Sequence, residues 1–145
     1  MIKQADYAAV GVLAELAVQL WDDHSQSELE QEYEHLITDP DAACFLEYVG
    51  DNPVGLAQCQ LRHDYVEGTH SSPVGYLEGI FVVEEYRHKG YARELVAACE
   101  KWAMNKKCSE FASDCEIDNE TSLSFHIATG FEVAGKIICF NKLLK

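Results

Sequence analysis

The sequence predicts an α/β protein built around a sheet that is at least partly parallel. In the second half of the chain, short apolar runs typical of strands alternate with segments of helical periodicity. Such alternation gives β-α-β units, whose crossover connections place strands in parallel. The chain has 145 residues with no internal repeat or linker, so we expect a single domain over residues 1–145.

Two helices and a hairpin are predicted in the first half. Apolar residues recur at helical spacing over residues 6–21, where Asp6 can cap the helix. Residues 25–39 form a second amphipathic segment that opens with Ser25, another favourable N-cap. Residues 43–61 predict strand, turn and strand, because the letters GDNP in their middle favour a turn.

The second half supplies the alternation of strands and helices. A polar stretch rich in turn residues separates the hairpin from an apolar strand, and helical and extended patterns follow in turn. The predicted elements are a loop over residues 62–75, a strand over 76–83, a helix over 90–107, a strand over 110–117, a helix over 119–130 and closing strands over 131–144.

Charge is spread unevenly along the chain. The formal net charge is -14, and no Lys or Arg occurs between Lys3 and Arg62, a span that holds twelve Asp and Glu residues. Such a surface repels the phosphates of nucleic acids and anionic lipids and attracts cations. We therefore expect no nucleic-acid or membrane partner. An acidic surface that serves only solubility is the alternative explanation.

Composition also bounds location and metal binding. No apolar run is long enough to span a bilayer, and the N-terminus lacks the pattern of a signal peptide, so we expect a cytoplasmic protein. The six cysteines and six histidines show no C-x-x-C pair and no zinc-type spacing. We therefore expect free thiols and no metal site.

A cluster of positive charge marks the predicted turn from strand to helix. Arg87, Lys89 and Arg93 fall within seven positions around Gly90. The start of a helix exposes unpaired N–H groups with partial positive charge, and a glycine lets the backbone approach an anion. The segment from Arg87 to Ala92 is therefore a candidate phosphate-binding turn. A plain strand–helix turn is the alternative, since neither the Walker nor the dinucleotide pattern is present.

The pattern Arg87-x-x-Gly90-x-Ala92 resembles the pyrophosphate-binding motif of the GCN5-related N-acetyltransferases, the GNAT family. A second signature of that family, an Asn followed eleven residues later by Gly-Phe, is matched by Asn119 and the pair at 130–131. The resemblance implies a mixed central sheet that splays open after its fourth strand and is flanked by about four helices. It also implies acetyl-CoA as the co-substrate.

The same resemblance implies which residues bind the coenzyme. The backbone of the splayed strand is expected to pair with the pantetheine arm, and the amides of the following turn are expected to hold the pyrophosphate. The implied coenzyme contacts are Ile80, Phe81, Val82, Arg87, His88, Lys89, Gly90, Tyr91, Ala92 and Asn119.

Two carboxylates are candidates for the acceptor end of the site. Glu78 lies inside an apolar strand, where an unpaired charge is costly, and Gly79 beside it is a natural bulge residue. Asp114 lies on the strand expected next to it. Together they can line the splay and attract an ammonium group, which makes them functional candidates. A structural pairing of each carboxylate is the alternative.

Over nearly its full length the chain resembles the small bacterial aminoglycoside 6'-N-acetyltransferases, which act on polycationic aminosugar antibiotics. The resemblance implies four drug contacts: Trp21, Tyr65, Glu78 and Asp114. For Trp21 and Tyr65, ordinary packing is the alternative. The chain departs from some relatives at Gly135, where they carry an acidic drug contact, so the far side of the drug pocket is undefined.

The resemblance also predicts a mechanism of direct transfer in a ternary complex. Glu78, directly or through a water, accepts the ammonium proton, and a backbone N–H near Val82 polarises the thioester carbonyl. Asp114 assists at the acceptor, and His126 replaces a tyrosine that many relatives use to protonate the CoA thiolate. A histidine that only packs the helix is an equal alternative for His126.

Other functions remain open at this point. The acidic half also suits a lysine-rich protein acceptor or a protein N-terminus, and a non-catalytic acetyl-CoA sensor is a further possibility. A covalent acyl-cysteine is disfavoured, because no cysteine has a motif context for it. The apolar letters IICF at residues 137–140 favour a homodimer.

Overall fold

The computed structural model describes residues 1–145 and contains one five-stranded sheet with the strand order β1-β2-β3-β4-β5. The strands are β1 (Ile2–Gln4), β2 (Ala42–Val49), β3 (Asn52–Arg62), β4 (Val74–Val82) and β5 (Phe111–Ala112). The helices are α1 (Val10–Ala17), α2 (Gln26–Thr38), α3 (Tyr91–Asn105) and α4 (Glu120–Ala128). Neighbours from β1 to β4 are antiparallel and β4–β5 is parallel, which confirms the predicted mixed sheet.

Helices α1 and α2 cover one face of the sheet. Leu13, Leu29 and Tyr33 are buried there against residues of β2 and β3. Ser25 caps α2 as predicted, since its hydroxyl accepts a hydrogen bond from the Glu28 amide at 3.1 Å. The first helix is shorter than predicted, because residues 7–9 form a 3-10 turn and regular α-helix ends at Ala17.

Helix α3 covers the opposite face with the apolar stripe that its sequence predicts. Its buried residues are Leu95, Val96, Cys99, Trp102 and Ala103. Close packing at Gly75 of β4 brings the sheet against this helix: a Cβ on Gly75 would lie 2.6 Å from Cβ of Ala103 and 2.7 Å from Cδ1 of Phe111. This contact fixes β4, α3 and β5 relative to one another.

The sheet opens between β4 and β5. These strands share only two residue pairs, Gly75 with Phe111 and Tyr76 with Ala112. Beyond them the outer edge of β4 has no strand beside it, which is the predicted splay. The predicted strand over residues 110–117 is thus correctly located but only two residues long.

A bulge in β4 lies at the point where the sheet opens. Cys59 and Gln58 of β3 are consecutive, yet they pair with Leu77 and Gly79, so Glu78 is the additional residue. A bulge of this kind bends its strand and redirects the side chain of the extra residue. The predicted bulge near Gly79 is therefore present, with Glu78 as the residue that it redirects.

The closing strands predicted over residues 131–144 are not formed. This segment has no regular secondary structure. Phe131 at its start is partly buried against the core, but the large apolar side chains from Val133 onward are exposed to solvent. The exposed residues are Ile137, Ile138, Phe140, Leu143 and Leu144, at 68% to 93% exposure. The prediction was wrong because apolar periodicity marks a segment suited to a sheet but does not show that a long enough sheet edge exists within the chain.

Three further features complete the fold. Strand β1 was not predicted, because three residues are too few for a periodic pattern; it pairs with β2 at the far edge of the sheet. None of the helices combines the length and apolar character needed to cross a bilayer. All six cysteines are free, and four of them are buried.

Two glycine substitutions test the packing of the sheet against α3. Gly75→Ala places a methyl group against Ala103 and should lower the free energy of unfolding by about 1–3 kcal/mol through overpacking. Gly11→Ala is the matched control, because a Cβ there meets nothing within 4 Å. On helix α1 it should raise the free energy of unfolding by about 0.5–1 kcal/mol. Urea denaturation measures both, and equal effects of the two substitutions would contradict this packing.

Candidate active site

The outer edge of β4 carries unpaired backbone groups. On its inner edge β4 pairs with β3, and the amide of Val83 donates to the carbonyl of Val54 at 2.8 Å. In an antiparallel ladder the inward and outward orientations alternate, so the N–H and C=O of Val82 and Ile80 point to the outer edge. Because β5 has already diverged at Ala112, this edge can pair with an extended ligand.

The turn that follows β4 has the form of an anion-binding site. Gly90 is the N-cap of α3 with φ +90° and offers no capping side chain. The first helical bond runs from the Glu94 amide to the Gly90 carbonyl at 3.1 Å, which leaves the preceding amides free for a ligand. A Cβ on Gly90 would meet nothing within 4 Å, so the space in front of the turn is open. His88 also has a positive φ, of 63°.

The basic side chains of this turn have separate contacts. Nε of Arg87 donates to the carbonyl of Val82 at 2.7 Å and so ties the turn to the end of β4. The ammonium of Lys89 lies 5.5 Å from the ring centre of Tyr86. Tyr91 and Ala92 are half-buried at the start of α3. Arg87 therefore shapes the candidate phosphate-binding turn as well as adding charge to it.

The two predicted residues on α4 both make structural contacts. Oδ1 of Asn119 caps the helix by accepting from the Ser122 amide at 3.0 Å. Nδ1 of His126 lies 2.7 Å from the Ser122 carbonyl, and Nε2 lies 2.8 Å from the hydroxyl of Ser113. A carbonyl only accepts, so Nδ1 carries a proton and donates to Ser122. Since Ser113 directly follows β5, His126 reaches the splay through that hydroxyl.

The acceptor end of the site is a connected network of four side chains. Nη2 of Arg62 lies 2.6 Å from Oε1 and 3.1 Å from Oε2 of Glu78, and its Nε lies 3.3 Å from Oε2. The guanidinium carbon stands 3.4 Å from the ring centre of Tyr76. The Tyr76 hydroxyl in turn donates to Oδ2 of Asp114. The structure thus joins the two predicted carboxylates through Arg62 and Tyr76.

Protonation in this network follows from its contacts. Burial disfavours the charge of Arg62, but hydrogen bonds to Glu78 and the negative charges nearby outweigh it and raise the pKa of Arg62. Burial and the hydrogen bond to Asp114 raise the pKa of the Tyr76 hydroxyl, which remains a donor at neutral pH. The network therefore contains two carboxylates, one cation and one neutral phenol.

Trp21 lies directly on β4 beside the bulge. A Cβ on Gly79 would be 2.5 Å from Cη2 of the Trp21 ring, so the indole occupies the space that only glycine leaves free. The ring also borders a cavity of about 220 Å³, whose other lining residues are His24, Leu29, Glu32 and Gln58. Trp21 and Glu78 are thus brought together. Tyr65 is 77% exposed in the loop between β3 and β4.

A carboxylate from the loop between β3 and β4 lies next to Gly135, the position where some relatives carry an acidic residue. A Cβ on Gly135 would lie 3.6 Å from Oε1 of Glu67. A carboxylate therefore occupies the place that a longer side chain at position 135 would reach. Sequence reasoning missed Glu67, Arg62, Tyr76 and Ser113, because nothing in their local patterns distinguishes them from surface or strand residues.

The model of the acetyltransferase (GNAT) family matches residues 12–131. The chain therefore belongs to the acetyltransferase (GNAT) family, as its two motifs predict. Across the whole chain, no group of three or more His, Cys, Asp or Glu residues is arranged to hold a metal ion.

Within this family the chain is similar to enzymes of one kind. It is 38% identical over 141 residues to the aminoglycoside N(6')-acetyltransferase type 1 of Acinetobacter haemolyticus, covering 97% of each chain. It is 41% identical over 124 residues to the enzyme of that name from Acinetobacter baumannii, covering 85% of this chain and 84% of the relative.

A solved structure shows the same fold with a ligand. The structure of AAC(6')-Iy in complex with the bisubstrate analogue CoA-S-monomethyl-acetylneamine matches with a TM-score of 0.96 at 35% identity. The match covers 99% of this chain and 98% of that one. The predicted fold class is therefore confirmed.

A charge placed in the turn tests the coenzyme site. Gly90→Asp and Gly90→Ala both fit the open space and both adopt an unfavourable positive φ, but only Asp adds a negative charge where phosphate is expected. Gly90→Asp should weaken acetyl-CoA binding at least tenfold, about 1.4 kcal/mol, while the Ala control loses much less. Calorimetry gives both affinities. Folded variants that bind equally well would exclude this turn as the phosphate site.

Proposed function

We propose that the chain transfers the acetyl group of acetyl-CoA to the 6'-amino group of aminoglycoside antibiotics and so confers resistance to them. The observation that carries the proposal is the open edge of β4, which runs from the Glu78 bulge to the turn at residues 87–92. A phosphate-binding end and an acidic end thus lie on one strand. The relatives described above carry the name aminoglycoside N(6')-acetyltransferase. The similar structure of AAC(6')-Iy contains the bisubstrate analogue CoA-S-monomethyl-acetylneamine.

The donor binds along the splay in this account. The outward N–H and C=O groups of Ile80 pair with the pantetheine arm, and Phe81, which follows, points its backbone to β3. The free amides at the start of α3 receive the pyrophosphate. The Val82 carbonyl already accepts from Arg87, so the Val82 N–H is the group available to polarise the thioester carbonyl.

In this account the acceptor binds between the bulge of β4 at Glu78 and strand β5, which diverges from β4. Glu78 takes a proton from the substrate ammonium, directly or through a water, and the amine attacks the thioester in a ternary complex. Asp114 and Glu67 hold further ammonium groups, and Trp21 offers a face for a sugar ring. Tyr65, in the exposed loop between β3 and β4, is a further contact for the drug.

The leaving thiolate is protonated from the other side of the splay. Ser113 stands between the splay and Nε2 of His126. In the imidazolium form of His126, Nε2 gives its proton to the Ser113 oxygen while the Ser113 hydroxyl gives its own proton to the thiolate, which leaves a neutral imidazole protonated at Nδ1. An acyl-cysteine route is unfavourable at the buried Cys44, since burial raises the pKa of its thiol to about 12. The exposed Cys115 beside Asp114 offers a direct control.

Charge-removing substitutions of the two carboxylates test the roles assigned to them. Glu78→Gln should lower kcat by about 10² to 10⁴, because a positioned base is lost. Asp114→Asn keeps its shape and should mainly raise the KM of the drug. Neither should change acetyl-CoA affinity, and Cys115→Ser should retain activity. Release of CoA is measured with kanamycin- and tobramycin-type drugs and with a lysine-rich peptide.

The peptide separates this function from protein acetylation. The absence of Lys and Arg between Lys3 and Arg62 makes the surface suitable for any polycation, including a lysine-rich protein. Acetylation of the peptide but of no drug would exclude the aminoglycoside function. Drug turnover that survives Glu78→Gln within about twofold would leave the substrate unchanged and remove Glu78 as the base.

We infer further that the enzyme acts in the cytoplasm, where acetyl-CoA is made and used, as a homodimer of single-domain chains spanning residues 1–145. The apolar segment at residues 137–144 is exposed, and β5 is a two-residue edge strand. A large exposed apolar surface of this kind is typical of an interface, and a second copy supplies an equal segment to cover it.

A polar substitution in this segment tests the dimer. The double variant Ile138→Asp, Phe140→Asp should convert a dimer into a monomer, because two charges would have to be buried at the interface. Met104→Asp is the matched control, since Met104 is also exposed, at 62%, but lies on α3. Sedimentation velocity reports the mass. A parent that sediments as a monomer, or a double variant that stays a dimer, would rule out this interface.

A further inference from the structure

The predicted acceptor carboxylate already has a cation. Arg62 is the first basic residue after Lys3, and it lies at the end of β3 with its guanidinium bound to both oxygens of Glu78. This ion pair occupies the place where the substrate ammonium is expected. A base engaged by three hydrogen bonds from Arg62 cannot accept a proton from the acceptor until the pair opens.

The pair is built so that it can open. The Arg62 side chain is 42% exposed and that of Glu78 is 17% exposed, so water reaches the guanidinium. Partly exposed ion pairs contribute little to folding stability, since solvent screens them and two long side chains lose freedom. The Tyr76 ring, 3.4 Å from the guanidinium carbon, gives Arg62 a second contact that does not depend on Glu78.

We propose that Arg62 is a built-in counter-ion that occupies the ammonium position of the empty acceptor site and is displaced by the incoming substrate. The proposal rests on the function proposed above for Glu78. Displacement exchanges one cation for another at the Glu78 carboxylate. A single ammonium group therefore gains little binding free energy from this contact. An acceptor with several ammonium groups also engages Asp114, which the same network holds through Tyr76.

The consequence is selection by charge number. Arg62 weakens every acceptor that competes for Glu78, and only a polycation recovers the loss through additional carboxylates. Arg62 therefore excludes small monoamines from the thioester while it admits aminoglycosides. In the empty enzyme it also keeps the two carboxylates from lying side by side without a counter-charge, which would be unfavourable.

Acceptor affinity in Arg62 variants tests this role. Calorimetry on the CoA-saturated enzyme gives the Kd of tobramycin and of the monoamine 6-amino-6-deoxyglucose. Arg62→Gln should tighten the binding of the monoamine and of tobramycin by a similar factor, about fivefold or more, because each acceptor must displace the same guanidinium. Arg62→Lys keeps the charge without the two-point contact. Its Kd for each acceptor should lie between the values for Arg62→Gln and for the parent.

Two controls separate the local contact from overall charge. Lys3→Gln removes one positive charge on β1, at the opposite edge of the sheet, and should change both Kd values by less than about twofold. In a Glu78→Gln background the effect of Arg62→Gln should vanish, because the competition is for that carboxylate. Thermal unfolding by circular dichroism confirms that each variant is folded.

The outcomes distinguish this inference from the proposed function. If the parent acetylates drugs but Arg62→Gln leaves the monoamine Kd unchanged or weakens it, the counter-ion role is overturned and the function stands. A tightening that persists in the Glu78→Gln background also overturns it, in favour of general electrostatic attraction. A parent that binds neither acceptor overturns both.

Discussion

The site depends on one constraint, which is that β5 leaves β4 after two residue pairs. If the pairing continued, the backbone groups of β4 would bond to β5, and no edge would remain for a coenzyme. Gly75 holds the paired end of the two strands tightly against α3, and the bulge at Glu78 bends β4 where pairing stops. The outward amide of Val82 and the redirected carboxylate of Glu78 both follow from this opening.

Electrostatics then separates the two substrates within the open sheet. The strongly acidic surface attracts a polycationic acceptor and repels polyanions, yet the donor carries phosphates. The turn at residues 87–92 resolves this conflict with free backbone amides and local positive side chains. The acceptor end also contains a local cation, because Arg62 lies among carboxylates there. In the proposed function, the donor is therefore recognised by a local positive charge in acidic surroundings, whereas the acceptor is recognised by carboxylates after it displaces Arg62.

Features encoded by local pattern were predictable from the sequence. The cap at Ser25, the glycine at position 90 and the apolar stripe of α3 are each visible within a few residues, and the structure contains all three. The family motifs are also local. For this reason the sequence allowed more residues to be proposed for the coenzyme end of the site than for the acceptor end. The bulge was predictable because Glu78 and Gly79 interrupt an apolar strand.

Features that depend on tertiary contacts were not predictable. The pairing of Arg62 with Glu78 joins residues on neighbouring strands, and the placement of Glu67 beside Gly135 joins a loop to the C-terminal segment. No periodicity encodes such contacts. The closing strands failed for a related reason, since strand formation requires an edge to pair with, and β5 offers only two residues.

Hydrogen exchange at two neighbouring amides tests the open-edge account most directly. The Val83 amide is bonded to Val54 within the sheet, whereas the Val82 amide points to the outer edge. Without ligand, Val82 should exchange faster than Val83, and saturating acetyl-CoA should slow Val82 by about tenfold or more while Val83 stays slow. Exchange at Val82 that acetyl-CoA leaves unchanged would contradict the account, because the coenzyme would then bind without pairing to this strand.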